Sequence, residues 1–569
     1  MPIRKLSLLA LVTAGALSGM TATAQPIGLA GAYLAARSAE VQGDYADAAR
    51  YFGQAMQRDP GNPSLMQGAL IASMSLGHVE RAVEIARKME GAGIGTQIAQ
   101  LAEVVGHAAE ENWEQLAEER AEGEGVGPLV DGLVSAWAHL GAGDVSEALA
   151  SFDAVADRSG MRAFGLYHKA LALASVGDFE GADELFSGPE EAALKSTRRA
   201  VIAHIEILSQ LERNDQALSL LRESFDADLD IALQTMSEKL ESGETLPFTV
   251  ATSPRDGVAE VFYSVALVLQ RDANEAYTLL YTRAAEYLRP EHTDAILLSA
   301  ALLDEMGNLD LAVQAYKKVP ADHPAHFAAE LGRADALRRD ERIEAAVEVL
   351  DRLARVRPDM ADVQVSLGDI LRQTEDYAGA AEAYTRGLDE IDAQSPRRWF
   401  VLYARGIAYE RLDRWEEAEA DFREALELNP EHPQVLNYLG YSLVEKQLKL
   451  DEALNMIETA VSKRPENGYI VDSLGWVLYK LGRFDEAVEH MERAAELTPV
   501  DPIVNDHLGD VYWAVGRKLE ARFQWLRALS FDPEEEEAAR IRKKLDVGLD
   551  QVLADEGSPP LVDMANGAD

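Results

Sequence analysis

The 569-residue sequence contains no cysteine. That excludes disulfides, a thiol nucleophile, Cys-ligated zinc and iron–sulfur clusters. It also excludes a lipid-bearing N-terminal cysteine, so the mature chain is not expected to be a bacterial lipoprotein. Basic residues are scarce: 54 Lys and Arg stand against 98 Asp and Glu, a formal net charge of −44. A nucleic-acid binder needs a basic face to displace counterions from phosphate, and nothing in the sequence supplies one. An anionic membrane surface is disfavoured for the same reason. Two readings of the acidity stand side by side. It keeps the chain soluble through self-repulsion, and it forms a long acidic surface that steers neutral or basic partners.

Catalytic signatures are missing too. There is no H-E-x-x-H, no G-x-S-x-G and no Walker-type loop. The glycine-rich Gly91–Gly95 follows a helical stretch, not a strand, and reads as a linker. Eleven histidines are scattered, and His78, His168, His204 and His490 read as packing or surface residues of helices and their turns. Carboxylates are so frequent that no catalytic pair stands out. No catalytic residue, metal site or cofactor is therefore expected, and the chain is expected not to be an enzyme.

Long apolar runs are absent apart from Leu6–Leu17. Arg4 and Lys5 precede that run, and Ala22-Thr23-Ala24 follows it with small residues at −3 and −1. This is the pattern of a secretory signal peptide over 1–24, with cleavage expected between Ala24 and Gln25. The alternative, an uncleaved anchor helix, asks for about 20 apolar residues, and the run is shorter. The site points to bacterial export, hence to the periplasm, soluble or peripherally attached.

What the sequence does hold is helix-forming composition and a period. Hydrophobic residues make up 47% and charged residues 27%, with Ala, Leu and Glu prominent. Pro465, Pro499 and Pro533 stand 34 residues apart, and so do Gly475 and Gly509, Ala487 and Ala521, Met491 and Trp525, Ala494 and Ala528. The unit with Gly406, Tyr409, Ala418, Phe422, Ala425 and Pro430 repeats the spacing, and the next carries one extra residue at Gln447-Leu448-Lys449. Each landmark has a physical reason. A small residue on the first helix and Ala on the second let two antiparallel backbones approach. The large residues fill the space beside that contact, and Pro stops the second helix.

With these residues the chain resembles the tetratricopeptide-repeat (TPR) family over nearly its whole mature length. The resemblance implies an all-α helix-turn-helix solenoid, a right-handed superhelix of about 13–14 units. Units are expected near 29, 63, 129, 163, 198, 257, 293, 327, 361 and 399 and through the three prolines, with 98–122 as a degenerate unit. Prolines and β-formers between Leu246 and Gly257 interrupt the frame. They divide an N-terminal array (25–228) from a C-terminal one (257–533) through a loop or hinge at 229–256, or they mark an insertion in one superhelix. A capping helix is expected at 534–553, its acidic start and basic end suited to the helix dipole, followed by a disordered tail at 554–569.

In the family, positions 2, 5, 9 and 12 of each unit face the concave groove. The resemblance therefore nominates Tyr403, Asn437, Tyr441, Asp472, Trp476, Tyr479, Asp506, Asp510 and Trp513 as a groove for an extended peptide or helix of another protein. The aromatics have a second reading, as packing between neighbouring units. Asp stands where a basic carboxylate clamp needs Lys and Arg, so a chaperone C-terminus is not the expected ligand. Residues 433–529 look like the C-terminal block of exported proteobacterial TPR proteins. These include adaptors that recruit a carboxyl-terminal processing protease to cell-wall hydrolases, though those adaptors are lipoproteins. The expected function is a periplasmic scaffold or adaptor for envelope proteins. The alternative is a structural subunit of an envelope assembly or export machine.

Overall fold

The computed structural model describes residues 28–122, 125–225 and 230–561. The expected signal peptide, with Ala24 and Gln25, lies outside the described residues, as do 562–569 of the expected tail. Among the described residues there are 32 helices and no strand. Most run in pairs, and the inner helices, the first of each pair, begin at or next to the expected unit starts, except that the helix expected near 257 begins at Pro254.

The turns explain the pairing. An acidic N-cap opens several second helices: Asp44, Asp144, Asp178 and Asp376 each accept a bond from the backbone N–H three residues on. One residue before the cap the chain takes positive φ, as at Gly43 (+74°) and Gly143 (+87°), where glycine carries no steric penalty. The small residue of the inner helix does more than admit a neighbouring backbone. A Cβ on Gly406 would lie 2.7 Å from the Phe422 ring, and one on Gly509 would lie 2.4 Å from Trp525. The large residue of the second helix thus fills the space that the glycine leaves.

The chain divides into two compact units, one ending at Asp340 and one beginning at Glu341. The expected boundary segment 229–256 falls inside the first. It is not loop throughout: Asp230 caps a helix over Ile231–Glu241, and the prolines come only after it. Residues 98–122, expected to be a degenerate unit, hold two helices, Gln97–Ala109 and Trp113–Glu122, the second packed mainly against the following helix Pro128–Gly141. The expected single cap at 534–553 is two helices, Glu535–Val547 and Leu549–Asp555. Gly548 separates them at φ +85°, with the Trp513 ring against the face where a Cβ would stand.

In the first unit the chain fills its own inner face. The long helix Pro254–Asp272 and its partner Glu275–Leu288 pack against the inner helices Pro63–Ser75, Gln97–Ala109, Pro128–Gly141 and Arg162–Ser175. Gly257 lies flat on the Trp137 ring. Glu260 of the long helix accepts a bond from the Tyr167 hydroxyl (2.9 Å) and pairs with Arg199 (2.7 Å), which also reaches Asp294 (2.6 Å). Burial opposes the charge on Glu260, but Arg199 outweighs it and holds the carboxyl well below its ordinary pKa. Trp137 donates to His168 (3.2 Å), whose imidazole burial keeps neutral, with its pKa pushed down to about 4. The fold closes over great sequence distances: Arg283 donates to the Ser75 carbonyl, and the Tyr45 hydroxyl meets the Met306 sulfur.

The strap 242–253 leads into the long helix and is anchored along its length. Ser209 accepts from the Leu246 N–H, Arg289 donates to the carbonyls of Thr249 and Val250, and Glu206 accepts from the Thr249 N–H (2.8 Å) and hydroxyl (2.7 Å). Burial raises the Glu206 pKa from 4.5 to about 7, against the lowering effect of those bonds. A folded-state value above the unfolded one gives stability that is full below pH 4.5 and is lost as pH rises through about 7. Glu206→Gln removes the titration and can still make two bonds, its Oε1 accepting from the Thr249 N–H and its amide N–H donating to the Thr249 hydroxyl. The gap in melting temperature between variant and wild type should therefore widen in the variant's favour from pH 5 to pH 8. A gap that stays constant over that range counts against a protonated Glu206.

Candidate functional site

The first unit's inner face is occupied by its own helices, so the second unit's inner face is the open candidate. Its inner helices include Arg398–Arg411, Pro433–Glu445, Gly468–Lys480 and Pro502–Ala514. The nine nominated residues lie on them but do not behave alike.

Four are buried and engaged within the protein: Asp472, Trp476, Tyr479 and Asp510. Trp476 stacks on His507 (3.9 Å between centroids) and on Tyr479 (4.9 Å), and its Nε1 donates to Glu445 (2.6 Å). Asp472 lies 3.0 Å from His507 Nδ1. Burial works against a charged His507, but Asp472 overcomes it, so the imidazole pKa is raised. Burial and the nearby Asp510 push the Tyr479 phenol well up.

Two more are engaged by the C-terminal helices. Lys544 of Glu535–Val547 is fully buried and donates to Asp506 (2.6 Å) and to both oxygens of Asp510 (2.7 Å). Asp510 also accepts from Trp525 Nε1 (2.9 Å), and Trp513 donates to Asp550 (2.9 Å). For these six residues the packing reading describes the geometry. The sequence frame read position 9 as groove-facing, whereas the following unit supplies a lysine at that position that reaches back to its neighbour.

Tyr403, Asn437 and Tyr441 are half-buried. Tyr403 forms a three-ring cluster with Phe422 (6.1 Å) and Tyr438 (6.0 Å). Asn437 Oδ1 has no hydrogen-bond partner. Burial, with Glu445, Asp472 and Glu537, raises the Tyr441 phenol pKa.

The exposed groups are at position 2, which the frame assigns to the groove. Phe400, Tyr469 and Ile503 are exposed large hydrophobics at the starts of three inner helices, and Gln434 is exposed at the fourth. Beside them a cleft of about 610 Å³ opens between the starts of Pro433–Glu445 and Gly468–Lys480. Gln434, Lys463, Arg464, Asn467 and Ile470 line it, with His432 at its edge. Burial, with Arg464 nearby, lowers the His432 pKa. The strip offers exposed apolar side chains and, in the cleft, amide groups and charged groups of both signs. Such a surface can hold an extended polypeptide through side-chain burial and backbone hydrogen bonds. Among the described residues no three His, Asp or Glu are grouped to hold a metal ion, and no helix is long and apolar enough to cross a membrane.

Comparison with known proteins bears on this arrangement. Models of the tetratricopeptide repeat match residues 42–92, 297–355, 331–396, 399–432, 445–502 and 473–536. A TPR repeat-containing protein of Pseudomonas aeruginosa is 29% identical over 157 residues, covering 27% of this chain and 26% of that protein. A human protein O-mannosyl-transferase is 26% identical over 249 residues, covering 40% of this chain and 27% of the relative. The chain thus spans about a quarter of the length of these relatives. The crystal structure of a tetratricopeptide repeat protein from Parabacteroides merdae aligns at 18% identity and a TM-score of 0.38, over 45% of this chain and 98% of that one.

Proposed function

We propose, from the premise that the chain belongs to the tetratricopeptide-repeat family, that it is a non-catalytic scaffold that holds an extended segment of another protein along the inner face of its second unit. The observation that carries this reading is the exposed row Phe400, Gln434, Tyr469 and Ile503 at the starts of four consecutive inner helices. Apolar groups left in water on a rigid row of helices favour binding, because little order has to be imposed when a ligand arrives. The signal-like N-terminus supports action in the periplasm. The resemblance of residues 433–529 to exported adaptors supports a role in bringing a processing protease to its envelope substrates.

Crosslinking with mass spectrometry in the native envelope tests the reading. Crosslinks should join partner segments to the helix starts near 400, 434, 469 and 503. Against a partner so identified, Tyr469→Ala and Ile503→Ala should each weaken binding about tenfold, roughly 1.4 kcal/mol, with unchanged melting temperature. Full affinity in both variants would remove the inner face from the binding account.

A further inference from the structure

The outer face of the last full repeat differs from those before it. On the helix Lys518–Leu529 the buried residues Ala521, Trp525 and Ala528 form one face. Leu519, Phe523 and Leu526 fall on the opposite face, at i, i+4 and i+7, and are 81%, 67% and 57% exposed. The corresponding positions of the preceding repeat are Asp485, Glu489 and Glu492, and those of the repeat before it are Asp451, Asn455 and Glu458. An acidic, hydrated face has become an apolar stripe within a single molecule.

Its flanks have changed as well. Arg522 borders the stripe on one side and Arg527 on the other. Arg522 donates to the Leu545 carbonyl and Arg527 to the Pro499 carbonyl. Among the described residues, neither forms an ion pair with a carboxylate. One repeat earlier, Arg493 stands where Arg527 does and pairs with both Glu466 and Glu496. In a chain of net charge −44, two guanidinium groups without counter-ions on either side of an apolar stripe are a local reversal of the surface.

We propose that this face docks an amphipathic helix of a partner protein whose apolar stripe is bordered by Asp or Glu. The i, i+4, i+7 spacing matches helix-on-helix packing, and acidic borders would give the two arginines charge-assisted bonds. Three side chains on a helix about 18 Å long fall well short of the ~800 Å² per partner that a stable dimer buries, so a second copy is not the occupant. Two cations on so acidic a chain do not suit an anionic membrane surface. The site lies on the outer helix and is independent of the inner-face reading above.

The test places photoreactive benzoylphenylalanine at Phe523 in the full chain in its native cells, with the same probe at Glu489 as control. Crosslinked peptides are mapped by mass spectrometry. The expected product is a partner segment with apolar residues at helical spacing and acidic borders. A synthetic copy of that segment should bind the purified chain at least tenfold more weakly after Phe523→Glu, Leu519→Asp or the double change Arg522→Glu/Arg527→Glu. Replacing its acidic residues by lysine should restore binding to the double variant. Phe523→Glu and Leu519→Asp restore the residues of the preceding repeat, and circular dichroism verifies that they fold. Crosslinks to a second copy, to lipid only, or no more product than at Glu489 would overturn the proposal. So would a mapped segment without acidic borders, or binding indifferent to all three variants.

Discussion

Replacing Lys544 by alanine will loosen the end of the second unit, lowering its stability by about 3–5 kcal/mol. The ammonium is fully buried and is the direct partner of Asp506 and of both oxygens of Asp510. Without it, Asp510 keeps only Trp525 and the more distant Arg540, at 3.7 Å. An uncompensated carboxylate in a dry site is the costly state, and the loss of a packed alkyl chain adds to it. A unit of this size should melt about 6–20 °C lower. Hydrogen exchange should rise first in Glu535–Val547 and Leu549–Asp555. Lys544→Met keeps most of the volume, so a similar loss there assigns the effect to charge. Adding Asp510→Asn to that variant should recover part of it. A melting temperature that does not move in Lys544→Ala would show that the cluster does not hold the cap.

Trp476→Ala carries the second large effect, about 3–5 kcal/mol. The indole is buried between His507 and Tyr479 and bonded to Glu445. Its removal leaves a cavity where residues of three inner helices meet, Glu445, Tyr479 and His507. The same stack gives a pH signature. The His507 pKa is raised above its ordinary 6.5, so its contribution is full below that pH and is lost as pH rises through the folded value. Melting curves of wild type should fall on passing from pH 6 to above pH 8. Asp472→Asn should flatten that fall, because it removes the charge that holds the proton. A groove residue would behave otherwise: Trp476→Ala would then reduce partner binding and leave the melt unchanged.

Much of the fold was legible because its causes are local. The small-large pairing of Gly406 with Phe422, the acidic caps and the prolines recur at one period, and each acts within a single helix pair. Position 2 was also within reach, since the period assigns it to the inner face. The fate of Asp506 and Asp510 was not, because it depends on where Lys544 arrives from a later helix. The filling of the first unit was equally hidden. Nothing in the spacing of Pro254–Asp272 says that Gly257 will meet Trp137, more than a hundred residues earlier. Periodicity describes neighbours in sequence, and these contacts join elements that the period keeps apart.

That long-range closure has a consequence for how the protein reaches its native state. A simple repeat array grows by nearest-neighbour contacts, so it can fold from any point and tolerate truncation between repeats. Here the helices up to Phe225 leave their inner face uncovered until Pro254–Leu288 has been made, and Tyr45 waits for Met306. The first unit must therefore assemble as one cooperative body late in synthesis, paying a loop-closure entropy that ordinary arrays avoid. A fragment ending near residue 225 would be an incomplete shell with apolar walls, prone to aggregate, and not a shorter version of the same scaffold.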